Sequence, residues 1–261
     1  MKCGFFGEQA RQRFYAYHEP TGSIGRPRAV LLCNPGPQEY RQCHYALQQL
    51  AERLADNGMH VLRFDYTATG DSTGDSITGS IAQWTDDVEE AAVELRELSG
   101  VSRLALVGIR LGAAIATRAV MRGLRAQELI LWDPVVKGSR YLAHLEAAQE
   151  RLRLDLAYPI SDRAEPGALL GVELTDAERR ATATIDLSQE PLDFAGRVSV
   201  LSAEQDVEAE RLVARWRDRG IAATAEVIPD VTLTRPVWYE DTLLAHAIPS
   251  AIVARLTGGT T

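Results

Sequence analysis

The chain has 261 residues, of which 46% are hydrophobic and 25% charged, the balance of a globular protein and a length suited to one α/β domain with an insertion. A net charge of −8 argues against nucleic-acid binding, and no apolar run approaches the ~20 residues of a membrane span. Three cysteines without metal-ligand spacing (Cys3, Cys33 and Cys43) point to a reduced, cytoplasmic protein. The opening MKCGFFGEQARQR places charges where a secretory signal would have its apolar core, so none is expected.

Residues 3–18 predict a hairpin, from the partial alternation of Phe14, Ala16 and His18. AVLLC (Ala29 to Cys33) predicts a strand buried on both faces, ended by the turn Asn34-Pro35-Gly36-Pro37. Leu47, Leu50, Ala51 and Leu54 predict a helix over 42–57, with Gly58 closing it. His60–Tyr66 reads as the next strand. After it, Ser80 and Gln83 form a capping-box pattern that opens a helix facing inward through Ile81, Trp84, Val88, Ala91 and Leu95. Leu104–Val107 and Glu128–Val135 predict buried strands flanking a small-residue helix that runs to about Gly123. Strand and helix alternating across short loops predict a mostly parallel sheet covered on both faces.

The pattern changes after Lys137. Residues 138–160 read as a charged helix, and 161–190 as mixed and polar, with Thr175 as an N-cap before DAERRATA. We therefore expect a core over 1–137, a small helical cap inserted over 138–190, and a second core part over 191–261. In that last part Arg197–Asp206 reads as a strand, Glu208–Arg219 as a helix closed by Gly220, ATAEVIP as the final strand, and 240–256 as the terminal helix.

The centre of this pattern is RLALVGIRLGAAIA, a strand, the tight turn Gly108-Ile109-Arg110-Leu111-Gly112, and a small-residue helix. That is the frame of the G-x-S-x-G nucleophile elbow, its glycines expected to supply positive φ and close helix–strand approach. The lifted residue is Arg110, and a guanidinium cannot act as nucleophile or general base. At a helix N-terminus it can bind an anion, or it can fill the space as a structural ion pair with Asp206 or Asp133. Both readings stay open.

With CNPGPQEYRQCH, FDYTATGDSTGD, GIRLGA, LWDPVVKGSRYLAHL and PVWYED in this order, nearly the whole chain resembles the α/β-hydrolase superfamily. The group it resembles most is the exosortase-system-associated hydrolases, relatives of the serine aminopeptidase-type hydrolases, some of which share an Arg-bearing elbow. The resemblance implies an α/β-hydrolase fold with the nucleophile position at Arg110 and the acid at Asp206, beside Glu204. A less common acid position falls at Asp133. The base is expected between Val231 and Trp238, where no histidine stands. The oxyanion loop maps to 34–38, with the Gly36 or Gln38 amide and the Leu111 amide as donors, since Pro35 and Pro37 have none.

Among the remaining candidates, His44 is a rescuing base near the oxyanion loop, its side chain diverging from Cys43 by about 100° on a helix. His246 reads as a surface or packing residue, Cys33 as buried, and Ser72 and Ser76 as shaping the loop beside the pocket, where Ala68 replaces a glycine. Trp238, next to Tyr239, stands where the catalytic histidine is expected and can stack on an acyl or aromatic ligand. The expected function is binding of a small anionic or acyl ligand at the elbow without serine-type turnover. The alternatives are an active hydrolase or acyltransferase on an ester, thioester or amide, with Arg110 as clamp and Asp206 or His44 positioning water, and a non-catalytic scaffold. No cofactor or metal is expected, and a homodimer is left open.

Overall fold

In the computed structural model, residues 1–23, 25–74, 79–155, 168–230 and 245–258 are described. Strands β1 (Lys2–Phe6), β2 (Arg13–His18), β3 (Ala29–Cys33), β4 (His60–Phe64), β5 (Leu104–Ile109) and β6 (Glu128–Trp132) share one eight-stranded sheet with two later strands. Those two follow a short β7 (Ala168–Leu169) and β8 (Val172–Glu173); they are β9 (Arg197–Ser202) and β10 (Ala222–Val227). The sheet order is β1-β2-β4-β3-β5-β6-β9-β10. β1–β2 and β2–β4 are antiparallel and every later pairing is parallel. The wholly apolar strands β3 and β5 thus occupy the centre, where both faces are covered.

Helices α2 (Ile81–Ser99), α3 (Leu111–Met121) and α6 (Val207–Asp218) bury Val88, Leu95, Ile115 and Leu212 in the core on one face. On the other face α1 (Pro37–Asp56) and α7 (Ala247–Thr257) bury Leu47, Leu50, Ile248 and Ile252. Between β6 and β9 in the chain lie α4 (Gly138–Asp155), the β7–β8 hairpin and α5 (Asp176–Ala183). A two-pronged ion pair from Arg118 of α3 to Glu190 ties the end of this stretch to the core.

Several element ends differ from the sequence expectation, each for an identifiable reason. α1 begins at Pro37, five residues before the predicted onset, because proline at the first helical position is pre-set for the helix and its missing N–H would be unpaired there anyway. The two-residue turn at Leu170 (φ +51°) and Gly171 (φ +79°) closes the unpredicted β7–β8 hairpin. α7 begins at Ala247, where the Asp230 carboxylate accepts from the His246 and Ile248 amides and caps the helix from a distance. Residues 231–244, and with them the earlier part of the expected terminal helix, lie outside the described ones. The α2 and α5 starts agree with expectation: Ser80 accepts from the Gln83 amide, and Thr175 with Glu178 closes a full capping box.

The elbow is also tighter than its sequence suggests. β5 runs through Ile109, with Gly108 a ladder residue paired to Cys33 and Leu131, and α3 begins at Leu111. One residue, Arg110, makes the whole turn. Neither elbow glycine has positive φ; Arg110 itself carries it (φ 53°, ψ −118°). The glycines permit close approach instead. A Cβ on Gly112 would overlap the carbonyls of Asn34 and Cys33, and one on Gly108 would meet the Ala113 backbone. Gly112→Ala should therefore cost about 2–3 kcal/mol, since overlap with main chain cannot be relieved by a rotamer change. Urea denaturation will measure this, with Gly25→Ala, where an added Cβ meets nothing, as the near-neutral control.

Candidate functional site

The carboxyl ends of β3, β5, β6 and β9 converge at Arg110. Its amide donates to the Trp132 carbonyl, and its own carbonyl accepts from Ala113 and Val135. These bonds hold a backbone conformation that costs a non-glycine residue of order 1–3 kcal/mol. The side chain is buried. Nε donates to Glu39 Oε1 at 2.9 Å and Nη1 to the Asp133 carbonyl at 2.9 Å. The guanidinium lies over the Tyr141 ring, 5.7 Å from its centre, and the Tyr141 hydroxyl donates to Glu39 Oε2 at 3.1 Å. Burial works against the Arg110 charge. The Glu39 carboxylate and its hydrogen bond overcome that and hold the guanidinium pKa above its ordinary value.

The ion-pair partner is thus Glu39, in the first turn of α1, and neither of the aspartates expected from sequence. Asp133 reaches Arg110 through its main-chain carbonyl, while its Oδ1 accepts from the Ala203 amide and fastens β6 to β9. Asp133 Oδ2 is buried without a hydrogen-bond partner among the described residues, and Asp133 also has positive φ (43°). Burial raises its carboxyl to about 6, against the pull of the Ala203 amide and Arg110. Asp206 is the N-cap of α6, its Oδ1 accepting from the Glu208 and Ala209 amides at 2.9 and 3.3 Å.

His44 does not join this group. It is exposed, packs edge-on against Tyr40, and its pKa is lowered by burial and then by Arg63. Cys43, one residue earlier, is buried toward Glu39 and Arg110, and burial pushes its thiol up. Cys33 is likewise buried at the end of β3. His246 is exposed at the start of α7. Ser72 accepts from the Phe14 amide and donates to the Asp65 carbonyl, so it shapes its loop, and Ala68, where the resemblance implies a glycine, has positive φ (63°). Ser76, Trp238 and Tyr239 lie outside the described residues.

Two cavities meet at the elbow. One, about 250 Å³, is mainly apolar and is walled by Trp84, Leu111, Leu142, Leu145 and Leu174, with Gln38 at its rim. Leu111 and Gln38 stand in the first turns of α3 and α1, whose amides have no intrahelical acceptor. Gly36, the N-cap of α1, has no room for a side chain because a Cβ there would lie 2.7 Å from the Tyr141 hydroxyl. The other cavity, about 340 Å³, is polar and is lined by Arg110, Asp133, Lys137, Arg140, Glu204 and Asp206. Tyr141 lines both. Glu39 and Tyr141 escaped the sequence reading. The one available signal was the i, i+4 spacing of Glu39 and Cys43, which puts a carboxylate on the buried face of α1. Among the described residues no group of three His, Cys, Asp or Glu side chains could hold a metal, and no helix is long and apolar enough to cross a membrane.

This sheet, with its one-residue strand-to-helix turn and helices on both faces, is the α/β-hydrolase fold. Solved structures of that fold superimpose over almost the full chain. Est1E from Butyrivibrio proteoclasticus, with ferulic acid bound, gives a TM-score of 0.62 at 16% identity, covering 98% of each chain. The proline iminopeptidase-related protein from Thermus thermophilus gives 0.62 at 19%, covering 99% of this chain and 96% of that one. At such identities the likeness is one of fold. The family model for "Serine aminopeptidase, S33" matches residues 25–213, and the chain belongs to that hydrolase family. Protein ABHD12B of Homo sapiens is 33% identical over 113 residues, 43% of this chain, and the match spans only 30% of the human protein's length.

Two outcomes test the site's electrostatics. Glu39→Ala strands a buried guanidinium and should destabilise the protein by about 3–5 kcal/mol, whereas Glu39→Leu combined with Arg110→Met should be milder than either single change; chemical denaturation of all four proteins checks this. Asp133 has a folded pKa of about 6 against about 3.9 unfolded, so the folded state binds the extra proton between those values. Stability from this group therefore falls as pH rises from about 4 to 6 and stays lost above. Asp133→Asn should match the parent at pH 4 and exceed it by about 1–2 kcal/mol at pH 7.5, read from melting curves at the two pH values.

Proposed function

We propose that this member of the hydrolase family binds a small acyl ligand beside the elbow without a serine-type covalent step. Arg110 stands at the family's nucleophile position, and no histidine lies between Val231 and Trp238. The observation that carries the reading is the fate of the Arg110 charge: it is committed to Glu39 inside the fold. That pairing favours an acyl ligand over a free anion. The apolar cavity beside Leu111 offers an acyl chain a wall of Trp84, Leu142, Leu145 and Leu174. The Leu111 and Gln38 amides, in the first turns of α3 and α1 beside this cavity, would be the donors to its carbonyl oxygen, the counterpart of the family's oxyanion donors.

Residues 138–190 serve as the cap in this reading, since α4 supplies Tyr141, Leu142 and Leu145 to the cavity walls. The Arg-bearing elbow also supports a place among exosortase-system-associated relatives, and three free cysteines support a cytoplasmic location.

The protein should remain unlabelled by a fluorophosphonate probe, and hexanamide should bind saturably in calorimetry. Leu174→Trp, which fills the apolar cavity, should weaken hexanamide at least tenfold. Fluorophosphonate labelling, or p-nitrophenyl ester turnover that Arg110→Ala abolishes, would overturn the proposal.

A further inference from the structure

The elbow gathers residues at the carboxyl ends of the central strands. A second charged cluster stands at their amino ends, far from any acyl ligand beside Leu111. β3, β5, β6 and β9 are consecutive neighbours in the sheet. Arg28 and Arg103 immediately precede β3 and β5, and Glu128 and Arg197 are the first residues of β6 and β9. The ladder keeps these four level: the Ala29 amide donates to the Arg103 carbonyl, the Gln127 amide to Leu104 and the Arg197 amide to Gln127. The residues that follow them, Ala29, Leu104, Leu129 and Val198, all bury in the core beneath α2, α3 and α6. Because successive side chains along a strand alternate, Arg28, Arg103, Glu128 and Arg197 turn together to the opposite face.

The charges there do not balance. Glu128 is buried, and its Oε1 accepts from Arg28 Nη1 at 2.8 Å and from Arg197 Nη2 at 2.9 Å. Arg103 makes no side-chain hydrogen bond or ion pair among the described residues. Arg28 is buried, with its Nε lacking a hydrogen-bond partner among them. Burial lowers the Arg28 pKa; Glu128 opposes that, while Arg103 and Arg197 add to it. Three guanidinium groups against one carboxylate leave two positive charges unbalanced, in a chain of net charge −8. Like charges gathered beside a buried group disfavour one another. A dianion would relieve them.

We propose that Arg103 and Arg197, with Arg28 buried behind them, form a binding site for a phosphate monoester group at the end of the sheet opposite Arg110. Guanidinium forks match phosphate oxygens in pairs, and a phosphate monoester carries about two negative charges at neutral pH. Arg103 and Arg197 stand two strands apart, about 10 Å, so their long side chains can hold one phosphate from both sides. The Arg197 side chain is 67% exposed and reaches solvent while it touches Glu128.

Calorimetric titration with glycerol 3-phosphate and co-sedimentation with phosphatidic acid vesicles distinguish a soluble ester from a lipid headgroup as the source of the phosphate. At least one of the two should bind saturably. Arg103→Gln and Arg197→Gln should each weaken that binding at least tenfold. Arg180→Gln, at an exposed arginine of α5, and Leu174→Trp in the apolar cavity should leave it unchanged. Without phosphate, Arg103→Gln should melt no lower than the parent, because it removes repulsion and no bond; an arginine kept for stability alone would lower the melting temperature. The inference is overturned if neither probe binds, if Arg180→Gln weakens binding as much as Arg103→Gln, or if Arg103→Gln melts lower yet binds as the parent does. Hexanamide binding at the elbow is independent of all these outcomes.

Discussion

The pairing of Arg110 with Glu39 is the constraint on which the site depends. A guanidinium at the apex of a one-residue turn, with the sheet below it and the α4 stretch above it, is largely buried and needs a counter-charge. It is held only because a carboxylate from the first turn of α1 meets it and the Asp133 carbonyl and Tyr141 ring complete its surroundings. A buried ion pair of this kind adds little net stability over a well-packed apolar pair, but removing one member is costly. Its consequence is geometric. It ties α1, β5, β6 and α4 together at one point.

Two cavities of different lining lie beside this pair. With Arg110 neutralised, the apolar cavity beside Leu111 is governed by shape, by burial of Trp84 and leucine surface, and by unpaired helix-start amides. The polar cavity carries Asp133, Glu204, Asp206 and Glu208 beside Arg110, Lys137, Arg140 and His144, and Asp206 is engaged in capping α6. Tyr141 lines both, and its hydroxyl leaves no room for a side chain at Gly36. Because Tyr141 comes from the stretch between β6 and β9, the identity of that insertion bears directly on the elbow.

Much of this was legible in the chain. AVLLC marks a fully buried central strand, the Ile81–Leu95 stripe marks the inner face of α2, and Thr175 with Glu178 marks the α5 start, because each depends on neighbours a few residues apart. Proline at the onset of α1 misleads for the same reason, since its local chemistry fits a turn and a helix start equally. The cap of α7 was hidden because its carboxylate, Asp230, lies sixteen residues away from His246.

The sequence by itself determined the α/β-hydrolase architecture, the position of the tight strand-to-helix turn and the arginine at its apex, all of which follow from periodicity, turn chemistry and residue type. Only the tertiary structure decided which acid answers that arginine. Asp133, Asp206 and Glu39 are equally acidic on paper, and sequence order favoured the two aspartates. Folding turned Asp206 to its own helix and Asp133 to the Ala203 amide, leaving Glu39, 71 residues from Arg110, as the carboxylate close enough to pair with the buried guanidinium.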